Sequence, residues 1–142
     1  MITYNIETLR NPSLDFDGTE ENLKHIIMLL EFELKTHPQT SGVGLSAIQI
    51  NVPVKVAIVR LEKLVLNLIN AQIIHAEQPY EFEGEGCLSL PGYFCKTKRY
   101  NLITLRNGDG SETKYSGYEA AVIQHEIDHW HGIIFTDRKI NA

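Results

Sequence analysis

Two histidines that flank a glutamate form the part of this sequence best suited to chemistry. His125, Glu126 and His129 make up the pattern HExxH. On a helix, residues four positions apart share one face, so both imidazoles can bind the same metal ion. The carboxylate beside the first histidine can then take a proton from a water activated by that metal. The pattern predicts hydrolytic metal chemistry, and the alternative is a pair of hydrogen-bonded core histidines.

A third metal ligand has to come from another part of the chain. One peptidase class places a further histidine six residues after the second, where this sequence has Phe135. Another class uses a later glutamate, but the only acid after His129 is Asp137. We therefore look upstream, where Cys87 stands among glycines that relax the backbone and expose the thiol to a ligand. Cys95 lacks such neighbours and is interpreted as a packing residue.

Two predicted helices lie on either side of a β-rich middle. Apolar spacing predicts a helix within residues 17–35, with Thr19 as its N-cap and Pro38 marking its end. A second helix, predicted to begin at Ser116 with a Ser116–Glu119 capping box and to stop at Gly132, carries HExxH. Its apolar residues lie on several sides, which indicates burial.

Short runs rich in valine, isoleucine and leucine predict strands between the helices. They span residues 54–59, 64–69, 72–76, 99–106 and 112–115, and the turn residues 107–110 predict an antiparallel hairpin. Before them, the glycine-containing loop 40–44 can approach a ligand closely. No linker or repeat divides the chain, so we predict a single catalytic domain over residues 1–142.

Composition restricts the function classes further. The 142 residues include 18 acids and 13 Lys or Arg, a formal charge of −5, which disfavours nucleic-acid binding. The longest apolar run, residues 26–30, is far shorter than the roughly 20 residues of a membrane-spanning helix. The first residues lack the features of a targeting peptide, and two cysteines do not make a disulfide framework. We expect an unprocessed, intracellular protein with no membrane partner.

Three segments together resemble the motifs of the peptide deformylases, in the order found in that family. They are residues 42–49 (GVGLSAIQ), 85–89 (EGCLS) and 124–129 (QHEIDH). Ser46 stands where the family pattern GxGxAAxQ has alanine. The resemblance implies an α+β fold in which antiparallel β-sheets surround a buried central helix that carries HExxH, together with an N-terminal helix.

The resemblance also implies the reaction and the cofactor. The family hydrolyses the N-formyl group of N-formylmethionine on nascent polypeptides and releases formate. Cys87, His125 and His129 would hold one divalent metal, Fe2+ in the cell, with Zn2+, Ni2+ or Co2+ in preparations. Glu126 would act first as base and then as acid. The Gln49 amide and the Leu88 N–H would stabilise the developing oxyanion.

Substrate positioning follows from the same resemblance. Backbone contacts to an extended peptide and an apolar pocket for the methionine would involve Val43, Gly44, Glu85, Gly86, Phe94, Tyr118 and Val122. Many longer bacterial members have arginine at the position of Phe94, so we predict an altered preference at the first residues of the peptide. Arg99 would hydrogen-bond the Cys87 loop, or else be a surface strand residue. Trp130 is interpreted as a core residue.

Partners and rival functions complete the expectations. The resemblance is to a short form without the C-terminal helical extension, so any ribosome contact would be weak or transient. We expect a monomer in the cytoplasm of a bacterium, or of an infected host cell if the gene belongs to a phage. The alternatives are a deacylase for another small N-acyl group, an HExxH metallopeptidase and a non-catalytic zinc module.

Overall fold

The computed structural model describes residues 1–39 and 42–140. The helices of this part of the chain are α1 (Ile6–Leu9), α2 (Glu20–Thr36) and α3 (Gly117–Trp130). Its strands are β1 (Gly44–Ser46), β2 (Val56–Arg60), β3 (Val65–Ile69), β4 (Gln72–Cys87), β5 (Leu90–Arg106) and β6 (Glu112–Ser116). Short 3₁₀ helices span Ala47–Ile50 and Phe135–Arg138.

The N-terminal helix α2 forms where the sequence predicts it. Thr19 is its N-cap, and the Thr19 hydroxyl accepts a hydrogen bond from the Asn22 N–H at 3.1 Å. The helix ends two residues before Pro38, as expected from the steric restriction that proline places on the preceding residue. Of the predicted loop 40–44, residues 40 and 41 lie outside the described residues, and Gly44 already belongs to β1.

The strands form two antiparallel sheets, with the orders β1-β2-β3 and β4-β5-β6. The antiparallel arrangement was predicted, but β4 and β5 have 16 and 17 residues and extend far beyond the predicted ranges 72–76 and 99–106. Alternate residues of these strands face solvent and many are charged, which weakens the apolar signal of a strand. The result is a long hairpin whose tip reaches the Cys87 motif.

The sheet β1-β2-β3 lies between α2 and α3. Along β2, Val56 and Ile58 pack in the apolar cluster on the α2 side, whereas Ala57 and Val59 pack against α3. Alternate side chains of a strand point to opposite faces, which explains why β2 is buried on both. The α+β fold with antiparallel sheets around a buried central helix is confirmed.

The ends of α3 agree only in part with the sequence prediction. Ser116 is the N-cap but its side chain makes no capping hydrogen bond, so the predicted capping box is wrong. Ser116 instead closes β6 by pairing with Leu102, and Gly117 turns the chain with a φ of +63°. At the other end, Gly132 has a φ of +71° and donates to the His129 carbonyl at 3.1 Å, which stops the helix as predicted.

In the portion of the chain that is described, no helix has both the length and the apolar character required to cross a membrane.

Candidate active site

Helix α3 brings the two histidines of HExxH to one place. The ring centroids of His125 and His129 are 5.0 Å apart. The preceding Gln124 attaches the helix to β5, because its side chain accepts from the Tyr100 N–H at 2.9 Å and donates to the Tyr100 carbonyl at 2.7 Å. These two hydrogen bonds hold α3 against β5 at the residue next to His125.

The tip of the β4–β5 hairpin supplies the thiol. Cys87 is the last residue of β4, pairs with Leu90 and precedes a two-residue turn. It lies at the end of a strand rather than in a relaxed glycine loop, and it is buried, with 7% of its surface exposed. The paired end of β4 therefore places the sulfur beside α3.

Cys87, His125 and His129 are the group of potential metal ligands found among the described residues. Their ligand atoms all lie within 4.8 Å of one another. The distance from Cys87 Sγ to His129 Nε2 is 3.6 Å. A tetrahedral ion with S and N ligands at about 2.3 and 2.1 Å would separate them by about the same distance. The donor set and its spacing thus fit one divalent metal.

Glu85 orients the first histidine. His125 Nδ1 is 2.7 Å from Glu85 Oε2, which leaves Nε2 to face the metal position. Burial alone would raise the pKa of Glu85, but hydrogen bonds from Arg99 and His125 outweigh it and lower that pKa below its ordinary value. Glu85 is therefore an anion that holds His125.

Arg99 is not a surface residue, and it hydrogen-bonds the segment that contains Cys87 through Glu85, as the resemblance implied. Its side chain is 2% exposed and donates to Glu85 Oε1 at 2.8 Å and to Asp128 Oδ2 at 2.7 Å. Asp128 also accepts from Arg138 at 3.0 Å. Sequence reasoning missed this buried network. The signal was available, because Arg99 occupies the same inward-facing register of β5 as the buried Ile103.

Glu126 has a buried carboxylate beside the metal ligands. Its residue is 3% exposed, and its Oε1 is 3.0 Å from the Ser46 hydroxyl. Burial raises the pKa of Glu126 to about 7, against the lowering effects of the His125 charge and the Ser46 hydrogen bond. A carboxylate with this pKa can both accept and release a proton near neutral pH.

The Gln49 side chain is oriented toward the sulfur. Its Oε1 accepts from the Ser46 N–H at 2.9 Å, and its Nε2 is 3.4 Å from Cys87 Sγ and 3.1 Å from Ser89 Oγ. This arrangement fixes which end of the amide faces the site. The donor end is the one that can stabilise negative charge there.

A cavity of about 310 Å³ opens beside this centre. Its lining includes every residue predicted for catalysis or substrate binding: Val43, Gly44, Gln49, Glu85, Gly86, Leu88, Phe94, Tyr118, Val122 and Glu126. Phe94 covers Gly86 so closely that a Cβ there would lie 2.6 Å from the aromatic ring. Tyr118 stacks on Phe82, with ring centroids 5.9 Å apart. The mouth of the cavity is therefore aromatic.

The other residues considered in the sequence lie in the core or near the surface. Trp130 is 0% exposed and belongs to the core, as predicted. Cys95 is partly buried and packs beside the cluster that contains Phe135. His37 and His75 make hydrogen bonds near the surface, with Tyr4 and Glu77 as partners.

The fold and this centre together define a class of protein. Two antiparallel sheets enclose a helix that carries two histidines, and a thiol and a buried carboxylate lie next to them, which is the arrangement of a metal-dependent hydrolase. The profile of the polypeptide deformylase family matches residues 1–142, and the chain belongs to this family.

Individual relatives agree with this assignment. The peptide deformylase of Campylobacter jejuni is 36% identical over 122 residues, which cover 78% of this chain and 70% of that protein. The peptide deformylase of Aquifex aeolicus is 32% identical over 97% of this chain and 85% of its own length. The crystal structure of peptide deformylase from Thermotoga maritima has a TM-score of 0.83 at 28% identity and covers 99% of this chain and 97% of that one.

The activity follows from membership of the family. The protein is a hydrolase that removes the formyl group from the N-terminal formylmethionine of nascent polypeptides. The deformylase interpretation is confirmed over the metallopeptidase and the non-catalytic zinc module, and the family is metal-dependent.

Proposed function

We propose that this chain performs deformylation with Glu126 as proton carrier beside a metal held by Cys87, His125 and His129. The observation that carries the proposal is that the ligand atoms of Cys87, His125 and His129 lie within 4.8 Å of one another although they come from different elements. Glu126 lines the same cavity as Cys87 and His125. A divalent metal held by these three side chains would supply Lewis acidity for the hydrolysis.

Glu126 is placed to move the proton in both halves of the reaction. Its carboxylate takes a proton from the water as the water oxygen forms its bond to the formyl carbon. It then gives that proton to the methionine nitrogen as the C–N bond breaks, so the products are formate and a free amine. The pKa of about 7, raised by burial, supports a carboxyl group that works in both directions.

Gln49 and Leu88 are our proposed donors to the negative charge that develops on the formyl oxygen. Both residues line the cavity, and the Gln49 amide is already oriented by its hydrogen bond with the Ser46 N–H. Donors that are fixed before the reaction stabilise the transition state without a reorganisation cost. Loss of the Gln49 donor should lower kcat by about 10²-fold.

The substrate is proposed to lie as an added strand along β1. This strand is at the edge of its sheet, and Val43 and Gly44 line the cavity opposite Gly86. The methionine side chain would enter the apolar space between Tyr118 and Val122. Because the contacts along the chain are mainly to the backbone, we expect tolerance of many following residues.

Iron is the metal that we propose for the cell. One thiolate and two imidazoles suit Fe2+ as well as Zn2+, Ni2+ and Co2+, and the last three are expected in preparations made in air. Contact with the ribosome, a monomeric state, a single catalytic domain and a cytoplasmic location stay predictions.

The test is formate release from formyl-Met-Ala-Ser by protein purified without oxygen and analysed for its metal. An acetylated peptide of the same sequence serves as the comparison substrate for a broader deacylase. We expect Glu126→Gln to keep wild-type metal content and to lose at least about 10²-fold in kcat. Wild-type turnover by Glu126→Gln, or equal rates on both peptides, would overturn the proposal.

A further inference from the structure

Ser46 is a buried residue of the first motif, and the mechanism above uses its N–H but gives no role to its hydroxyl. It is the last residue of β1, is 0% exposed and stands where the resemblance expected alanine. Its hydroxyl is 2.9 Å from the Glu126 carbonyl oxygen and 3.0 Å from Glu126 Oε1. These residues are 80 positions apart in the chain, so the contact is a product of the fold.

A serine hydroxyl suits the two-way task assigned to Glu126. It has one proton to donate and lone pairs with which to accept. Its proton can go to Oε1 while Glu126 is a carboxylate. The hydroxyl can also turn to donate to the Glu126 carbonyl oxygen, 2.9 Å away, without any movement of heavy atoms.

Strand β1 also constrains the second carboxylate oxygen. A Cβ on Gly44 would lie 2.6 Å from Glu126 Oε2, so this oxygen rests against the backbone of β1. One oxygen is thus hydrogen-bonded by Ser46 and the other packs against Gly44. The hydrogen bond and the packing together restrict rotation of the Glu126 carboxylate.

We propose that Ser46 is a positioning residue, whose hydroxyl holds the Glu126 carboxylate in the orientation needed for proton transfer. This inference rests on the proposed role of Glu126. Because the family pattern has alanine at this position, the hydroxyl improves an arrangement that β1 already provides. We therefore expect an effect of about tenfold on kcat, equivalent to about 1.4 kcal/mol.

The experiment measures kcat and KM for formyl-Met-Ala-Ser, normalised to bound iron, in wild type, Ser46→Ala and Ser46→Cys. Both variants keep the Ser46 N–H that orients Gln49, so they isolate the hydroxyl. We expect kcat to fall about tenfold and KM to stay within about twofold, since the substrate does not touch Ser46. The matched control is Ser13→Ala, because the Ser13 hydroxyl is also buried and has no hydrogen-bond partner among the described residues. This control should keep wild-type kcat.

Repeating the Ser46→Ala substitution in a Glu126→Asp variant separates a positioning role of Ser46 from a general structural effect. In Glu126→Asp the carboxylate is one methylene shorter and cannot keep the same contact with Ser46. Adding Ser46→Ala to this variant should therefore change kcat by less than about twofold. An equal tenfold loss in the Asp background, or wild-type kcat in Ser46→Ala alone, would overturn the positioning role. Wild-type kcat in Glu126→Gln would instead overturn the proposed function.

Discussion

Replacing Arg99 by methionine should lower the free energy of unfolding of this protein more than any substitution of a surface residue on the same strand. Methionine keeps a long side chain but removes the guanidinium that donates to Glu85 and Asp128. Asp128 retains Arg138. Among the described residues, Glu85 keeps only Thr97 and His125 as hydrogen-bond partners, in a site where it is 6% exposed. Breaking a buried ion pair by removing one partner costs about 3–5 kcal/mol.

The assay is chemical denaturation followed by fluorescence, with wild type and variant at the same metal saturation. We expect the free energy of unfolding to fall by about 3–5 kcal/mol. In a separate thermal melt, we expect Tm to fall on the order of 10 °C. Lys98→Met is the matched control, because Lys98 is the neighbouring residue and faces solvent. Its effect should stay within about 0.5 kcal/mol.

The loss of stability in Arg99→Met should also depend on pH, and it should become smaller as pH falls. The pKa of Glu85 is below its ordinary value of 4.5 in the folded protein. The ion pair therefore stabilises the fold fully above about pH 4.5 and loses this contribution as pH falls. The difference between wild type and Arg99→Met should narrow in acid. A difference below about 1 kcal/mol at neutral pH, or one that widens in acid, would refute the reasoning.

The other predictions concern the centre and its mouth. Cys87→Ser should bind less metal after dialysis, because a hydroxyl is a poor substitute for a thiolate; full metal content would remove Cys87 from the ligand set. Gly44→Ala should lower kcat about tenfold or more, because its Cβ would lie 2.6 Å from Glu126 Oε2 and 3.1 Å from the Ile58 carbonyl. Phe94→Arg should raise kcat/KM for formyl peptides with an acidic second residue about two- to fivefold relative to neutral ones. An unchanged ratio would mean that residue 94 at the cavity mouth does not affect the preference for the charge of the second residue.

The catalytic helix could be predicted from the sequence because its signals are local. The spacing of His125 and His129 places both on one face of any α-helix, whatever surrounds it. Gly132 likewise ends the helix through its own backbone freedom, which the positive φ confirms. The Ser116–Glu119 capping box failed because the sheet pairing of Ser116 competed with it.

The length of the β4–β5 hairpin could not be predicted in the same way. Its outer residues alternate between charged and apolar, and Gly84 interrupts the pattern with a φ of +69° at a register shift. Pairing between two strands stabilises such a segment, and pairing is a property of both strands together. The position of Cys87 at the tip of a paired hairpin therefore appears only in the folded chain.

By itself, the sequence determined the metal-ligand types, the acid beside them, the order of the three motifs and the buried character of their helix. Tertiary structure alone decided what surrounds these groups. Arg99 meets Glu85 across 14 residues and Ser46 meets Glu126 across 80, in contacts set by strand register and packing. The physical reason is that helix periodicity acts within a few residues. The partners that orient His125 and Glu126 are selected only when distant elements pack together, because an unpaired polar group is costly once it is buried.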